Sequence, residues 1–147
     1  MGNMRKGHNA WNASQVWERL WVGGLADAEQ LEEGNPHHVS TVVSLSEIPV
    51  EVKRRGINYL HLPVEDEKPV PVYQFAAVMD AIAKSIRRGT VLLHCGVGVS
   101  RAPSFAAAYM DAVGCMGIDA AIKAIRKARP FIHPSRTLLN SLKENLR

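Results

Sequence analysis

The sequence predicts an α/β fold: a mainly parallel central sheet of four to five strands flanked by helices on both faces. Two observations predict it. Short apolar, β-branched runs such as Val39–Leu45 and Thr90–His94 alternate with segments of helical period. Those helical segments stop at glycines, Gly34 and Gly89 among them. Regular alternation of strand and helix is the pattern of a parallel sheet covered on both sides, with ligand sites at the C-terminal ends of its strands.

In order, residues 1–13 are a polar N-terminal segment expected to be loose, and 14–147 form one domain. Leu20–Val22 reads as a strand and about Ala26–Glu33 as a short helix ended by Gly34. Val39–Leu45 is a strand, Pro49–Arg55 a short helix closed by Gly56, and Ile57–Leu62 another strand. The acidic loop that follows carries Pro69 and Pro71, which stiffen it enough to hold or hinge its side chains. Val72–Arg88 puts Val72, Phe75, Ala76, Met79, Ile82, Ala83 and Ile86 at a 3.6-residue period. After the buried strand Thr90–His94 come helices at Ala102–Met116, Asp119–Ala128 and Ser135–Leu146, with Pro103 in a first turn and Asp119 and Ser135 as caps.

Composition narrows the function. The chain has 147 residues, 46% apolar and 22% charged, which suits one globular core. No apolar run approaches the roughly 18 residues of a membrane span, and the start is polar, so a cytoplasmic protein with no membrane partner is expected. The 2 cysteines fit a reducing compartment. Cys115 reads as a helix-end packing residue, with a resolving thiol for oxidised Cys95 as the alternative. A net charge of +4 favours acidic or phosphorylated partners and is too scattered for nucleic acid. A monomer is expected. Lys53-Arg54-Arg55, Arg87-Arg88 and Arg126-Lys127-x-Arg129 fall near helix C-termini, where cations answer the dipole; substrate contact is the rival reading, for Arg136 as well.

The chemistry is concentrated in His94-Cys95-Gly96-Val97-Gly98-Val99-Ser100-Arg101, which joins a strand end to a helix start. Amides there have no intrahelical partner and lie at the positive end of the dipole, a cradle for a tetrahedral dianion. Gly96 and Gly98 let the backbone approach the anion. The same field favours a thiolate at Cys95, and Arg101 offers a planar fork for two phosphoryl oxygens. Shuffled chains of this composition would show Cys-x-x-Gly-x-x-Arg on the order of once in a hundred. Three carboxylates, Glu65, Asp66 and Glu67, stand one helix and one strand before Cys95, within reach of the same sheet edge; any of them can protonate a leaving oxygen, or all can be a solvated surface loop. They have no histidine cluster beside them, so no metal and no cofactor are called for.

His-Cys-x-x-Gly-x-x-Arg resembles the signature of the Cys-dependent protein tyrosine phosphatase superfamily, in its compact dual-specificity class. Leu20-Trp21-Val22-Gly23-Gly24, Val39–Ser46, Leu62-Pro63-Val64-Glu65-Asp66 and Arg129-Pro130-x-Ile132-x-Pro134 are similar to further stretches of that class. The resemblance implies a phosphatase catalytic domain over 14–147, with Cys95 as nucleophile and Gly96, Val97, Gly98, Val99, Ser100 and Arg101 as the phosphate site. It also implies that Asp66 is the general acid, that His94 is a supporting residue, and that the substrate is a phosphorylated protein or peptide, phosphotyrosine first, phosphoserine and phosphothreonine next. Two departures stand out. Ala102 holds the place where the family usually has a hydroxyl that assists the departing thiolate, so the covalent step is expected intact and its hydrolysis slowed, with Ser100 or Ser104 as substitutes. Ser135 stands where the family commonly has Asn. The alternatives are a phosphate-binding module without turnover, the same chemistry on a lipid, RNA 5′-end or sugar phosphate, and a rhodanese-type sulfurtransferase, against which the Arg101 spacing speaks.

Overall fold

A computed structural model describes residues 11–147. In chain order the elements are Ser14–Trp17 (β1), Leu20–Gly23 (β2), Leu25–Gln30 (α1), Val39–Ser44 (β3), Asn58–His61 (β4), Val72–Arg88 (α2), Thr90–His94 (β5), Arg101–Gly114 (α3), Ile118–Ala128 (α4) and Arg136–Asn145 (α5). The sheet order is β1-β2-β5-β3-β4. Among the described residues only the β1–β2 hairpin is antiparallel; β2–β5, β5–β3 and β3–β4 are parallel. The expected mainly parallel sheet is thus found, with one added edge strand, β1.

Register decides where chemistry can gather. Gly23, His94, Ser44 and His61 form one row of cross-strand partners across β2, β5, β3 and β4. All four strands end on that row, so the segments after them emerge side by side at one edge.

Side-chain alternation divides the core. Leu20, Val22, Val43, Val91 and Leu93 face one way, toward α2, α3, α4 and α5. Val42 and Leu92 face the other way, toward Ala28 and Leu31 at α1 and Val50 of the following loop. α3 is central: all nine residues from Ala102 to Met110 are buried, and its small alanines let neighbouring elements approach.

Four expectations are corrected. Pro49–Arg55 is irregular, not helical: the Arg54 N–H donates to Tyr59 Oη and the Arg54 guanidinium to Leu31 O, so tertiary bonds replace the ladder a helix would need. Gly117, not Asp119, is the N-cap of α4, with Asp119 inside its first turn. Trp11–Ala13, placed in the loose segment, are tied down. Trp11 stacks on His37 and packs at a tilt against Trp21, its Nε1 donates to Asp27 O, and the Asn12 N–H donates to Asp27 Oδ1. Residues 1–10 lie outside the described part. Cys115 is exposed at the αL cap of α3 instead of packed, and the length of that helix, about 20 Å, separates it from Cys95, which removes the resolving-thiol reading.

Candidate active site

Cys95 follows the last residue of β5 and is 2% exposed. The loop from 96 to 100 wraps over it and feeds α3. Every carbonyl oxygen from Cys95 to Ser100 is bonded away from the thiol. Cys95 O accepts from His94 Nδ1, Gly96 O from Leu25 N, Val97 O from Arg129 Nη2 and Gly98 O from Arg129 Nε. Val99 O accepts from His133 N at 2.7 Å, and Ser100 O from Ser104 N and Ser104 Oγ. In a trans peptide the N–H of the next residue points opposite to the carbonyl. With six carbonyls held outward, the following amides turn inward, and none of the 96–100 N–H groups has a partner among the described residues. The Ala102 N–H, at the start of α3, donates to Cys95 Sγ at 3.4 Å.

Two glycines make the fit possible. Gly98 has φ +75°, and a Cβ there would stand 2.6 Å from Arg129 Nη2. A Cβ on Gly24 would stand 2.9 Å from Gly96 O, so only glycine lets the β2–α1 turn close on the loop.

His94 is fully buried and faces away from the loop's inner side. Cys95 O can only accept, so Nδ1 carries the proton and Nε2 accepts from Ser44 Oγ at 2.6 Å. Burial holds its pKa below the ordinary histidine value, against the opposing pull of the Cys95 carbonyl. The ring is a neutral brace.

Arg101 lies across the mouth, with its side chain 14% exposed. Its Nη1 donates to Val64 O at 3.1 Å and to Glu47 Oε1 at 2.9 Å. Its Nη2 is turned toward the loop, 3.7 Å from the place a Gly96 Cβ would occupy. The Arg101 hydrogen bond holds the Glu47 carboxyl below its usual range.

Of the three acidic candidates, Asp66 alone bonds the loop. Its Oδ1 accepts from Ser100 Oγ at 2.9 Å, and Ser100 Oγ accepts in turn from Ser135 N at 3.0 Å. Glu65 is exposed and lies 3.8 Å from Lys68, while Glu67 has its own N–H on Asp66 Oδ1. The Asp66 segment is braced by bonds to neighbouring elements. Gln74 donates to Pro63 O, the Val70 N–H donates to Ser141 Oγ, and Asn145 donates to Val70 O.

Residues 20–146 match the family model described as "Dual specificity phosphatase, catalytic domain". The chain belongs to the dual specificity phosphatase family. It is similar to Dual specificity protein phosphatase 15 of Homo sapiens, 28% identical over 127 residues, covering 85% of this chain and 43% of that protein. Against Dual specificity protein phosphatase 21 of Homo sapiens it is 31% identical over 127 residues, covering 83% of this chain and 65% of that protein. The crystal structure of DUSP15 superposes with a TM-score of 0.81 at 26% identity, covering 91% of this chain and 86% of that one. The chain thus spans about half the length of the curated relatives it matches first.

Within this phosphatase fold, two contributors escaped the sequence reading. Arg129 was taken for a cation answering a helix dipole; it is 1% exposed and binds Gly98 O, Val97 O, Asn12 O and Ser14 Oγ, a strut behind the loop. Burial pulls its pKa below the arginine range, with the charges of Asp27 and Cys95 opposing. The Arg-Pro stretch was the available signal. Glu47 had none, because an acid after a strand is ordinary and only the fold brings it to Arg101. Ser100 and Ser104 do not replace the hydroxyl missing at 102, since one bonds Asp66 and the other Ser100 O.

Proposed function

We propose that this chain hydrolyses phosphomonoesters of proteins through a cysteinyl-phosphate, with phosphotyrosine the preferred residue and phosphoserine and phosphothreonine slower. The observation that carries the reading is the set of six outward-bonded carbonyls around a buried thiol, because it leaves inward amides for the phosphoryl oxygens. Cys95 Sγ attacks phosphorus, the S–P bond forms, and the P–O bond to the leaving group breaks. Asp66, steered by Ser100 Oγ, gives its proton to the departing oxygen. Arg101 Nη2 and Nε hold equatorial oxygens while Nη1 stays on Val64 O. In the second step water attacks phosphorus, Asp66 takes its proton, and the thiolate leaves. The free thiol this requires fits a reducing, cytoplasmic setting. Val97 and Val99 put no charge at the phosphate rim, which supports phosphoprotein over polyphosphorylated lipid.

The test is release of phosphate from p-nitrophenyl phosphate, phenyl phosphate and a phosphotyrosine peptide. Cys95→Ser is expected to abolish release from all three. Asp66→Ala is expected to slow phenyl phosphate by roughly a hundredfold or more and p-nitrophenyl phosphate far less, because only a poor leaving group needs the proton. Turnover surviving in Cys95→Ser, or none in the unaltered protein, would overturn the reading.

A further inference from the structure

We infer that a groove running from the phosphate site between α4 and α5 is a subsite for a second anionic group on the substrate, a phosphopeptide carrying an acidic or phosphorylated side chain a few residues away from the scissile one. The inference rests on the proposed phosphatase reading and narrows its substrate.

Two adjoining hollows, about 420 and 350 Å³, are lined in common by His133, Pro134 and Arg136, and together they make up the proposed channel. The near hollow opens on Asp66 and Ser100, the pair expected to work at the leaving group, so the channel starts where the rest of a bound substrate must lie. Its charge changes along its length. The near part carries Asp66 and Glu67, which repel an anion placed beside the scissile residue. The far part carries Arg126, Arg136 and Lys143 against one acid, Asp119. Asp119 is already paired with Lys143 at 3.0 Å. Arg126 and Arg136 make no ion pair or side-chain hydrogen bond among the described residues, so two guanidinium groups from different helices face the channel uncompensated.

Helix electrostatics do not account for both. Arg126, in the last turn of α4, answers that helix's dipole. Arg136 is the first residue of α5, where a cation opposes the dipole, and the cap of α5 is supplied by Ser135 Oγ accepting from Leu138 N. A cation in that place costs the helix stability and answers instead to whatever enters the channel. Ile122, Leu139 and Pro134 beside the cations give an extended peptide apolar contacts. A lipid headgroup uses none of them, which is why a peptide is the occupant chosen.

Steady-state kinetics on a set of phosphotyrosine peptides tests this, with one glutamate stepped through positions on either side in an otherwise neutral sequence. At the best position kcat/KM is expected to rise about threefold to tenfold over the neutral peptide, the range of two exposed ion pairs, and to fall back in high salt. Arg126→Ala/Arg136→Ala is expected to abolish that gain while p-nitrophenyl phosphate turnover is unchanged. Equal rates at every glutamate position, or a gain that survives in the double variant, would overturn the subsite and leave the phosphatase reading standing. So would the double variant lowering turnover of a phosphatidylinositol bisphosphate micelle while the peptide series stays flat. If no phosphoester is turned over the phosphatase reading falls. The anisotropy of labelled acidic and neutral phosphopeptides on Cys95→Ser then decides the groove by the same comparison.

Discussion

Ala102 sits where its N–H reaches the sulfur while its methyl group offers the departing thiolate no hydroxyl, and neither nearby serine is free to supply one. Rapid mixing with p-nitrophenyl phosphate is therefore expected to give a burst of p-nitrophenol near one equivalent, followed by slower turnover. Ala102→Ser should raise the steady rate and shrink the burst; no burst in the unaltered protein would refute slow hydrolysis of the intermediate. Glu47 poses a different question at the same site. Its carboxylate shares Arg101 Nη1 with Val64 O and stands beside the anion cradle, with its side chain 69% exposed. An exposed pair adds little stability, and the same carboxylate repels an incoming dianion. Because Val64 O keeps the guanidinium in place, repulsion wins, and Glu47→Gln should lower KM for p-nitrophenyl phosphate by about twofold to fivefold with kcat little changed. A raised KM would make Glu47 a positioning residue for Arg101 instead.

The Cys95–Arg101 loop is a segment whose conformation is imposed by four others. The first turn of α1 holds Gly96 O, Arg129 after α4 holds Val97 O and Gly98 O, His133 holds Val99 O, and α3 holds Ser100 O. Arg129→Met keeps much of the volume and removes the donors, leaving Gly98 O and Asn12 O short of partners. A loss of about 2–4 kcal/mol is expected by urea denaturation, together with a fall in kcat/KM, since the amides would no longer be fixed inward. A variant equally active and equally stable would show that the strut is dispensable. The helical elements were readable to within a residue or two at α2, at α4 and at α5, whose cap Ser135 was legible from the sequence. The stretch 49–55 was misread because a local pattern of valines and cations says nothing about Tyr59 and Leu31, which capture its backbone and side chains.

Across the whole molecule, stability is tied to pH through the buried ring of His94 at the centre of the sheet's C-terminal edge. Its folded pKa lies below the ordinary value near 6.5, so under that pH the unfolded chain binds a proton that the folded one refuses. This contribution is flat above about pH 6.5 and destabilises as pH falls below it, by at most about 1.4 kcal/mol per pH unit. Thermal unfolding between pH 7.5 and 5.5 should show a smaller drop in Tm for His94→Asn than for the unaltered chain; equal drops would assign the dependence elsewhere. The sequence by itself determined the alternation of strands and helices, the loop Cys95–Arg101 and its family, because period, glycine placement and a seven-residue motif are local properties of the chain. The resemblance had already singled out Asp66 among the three acids; only the tertiary structure decided that it is bonded to the loop through Ser100, that Arg129 is a strut, and that Glu47 pairs with Arg101. Those contacts join residues 31 to 54 positions apart, and register fixes them: Gly23, Ser44, His61 and His94 end their strands on one row, so whatever follows each strand is brought together there.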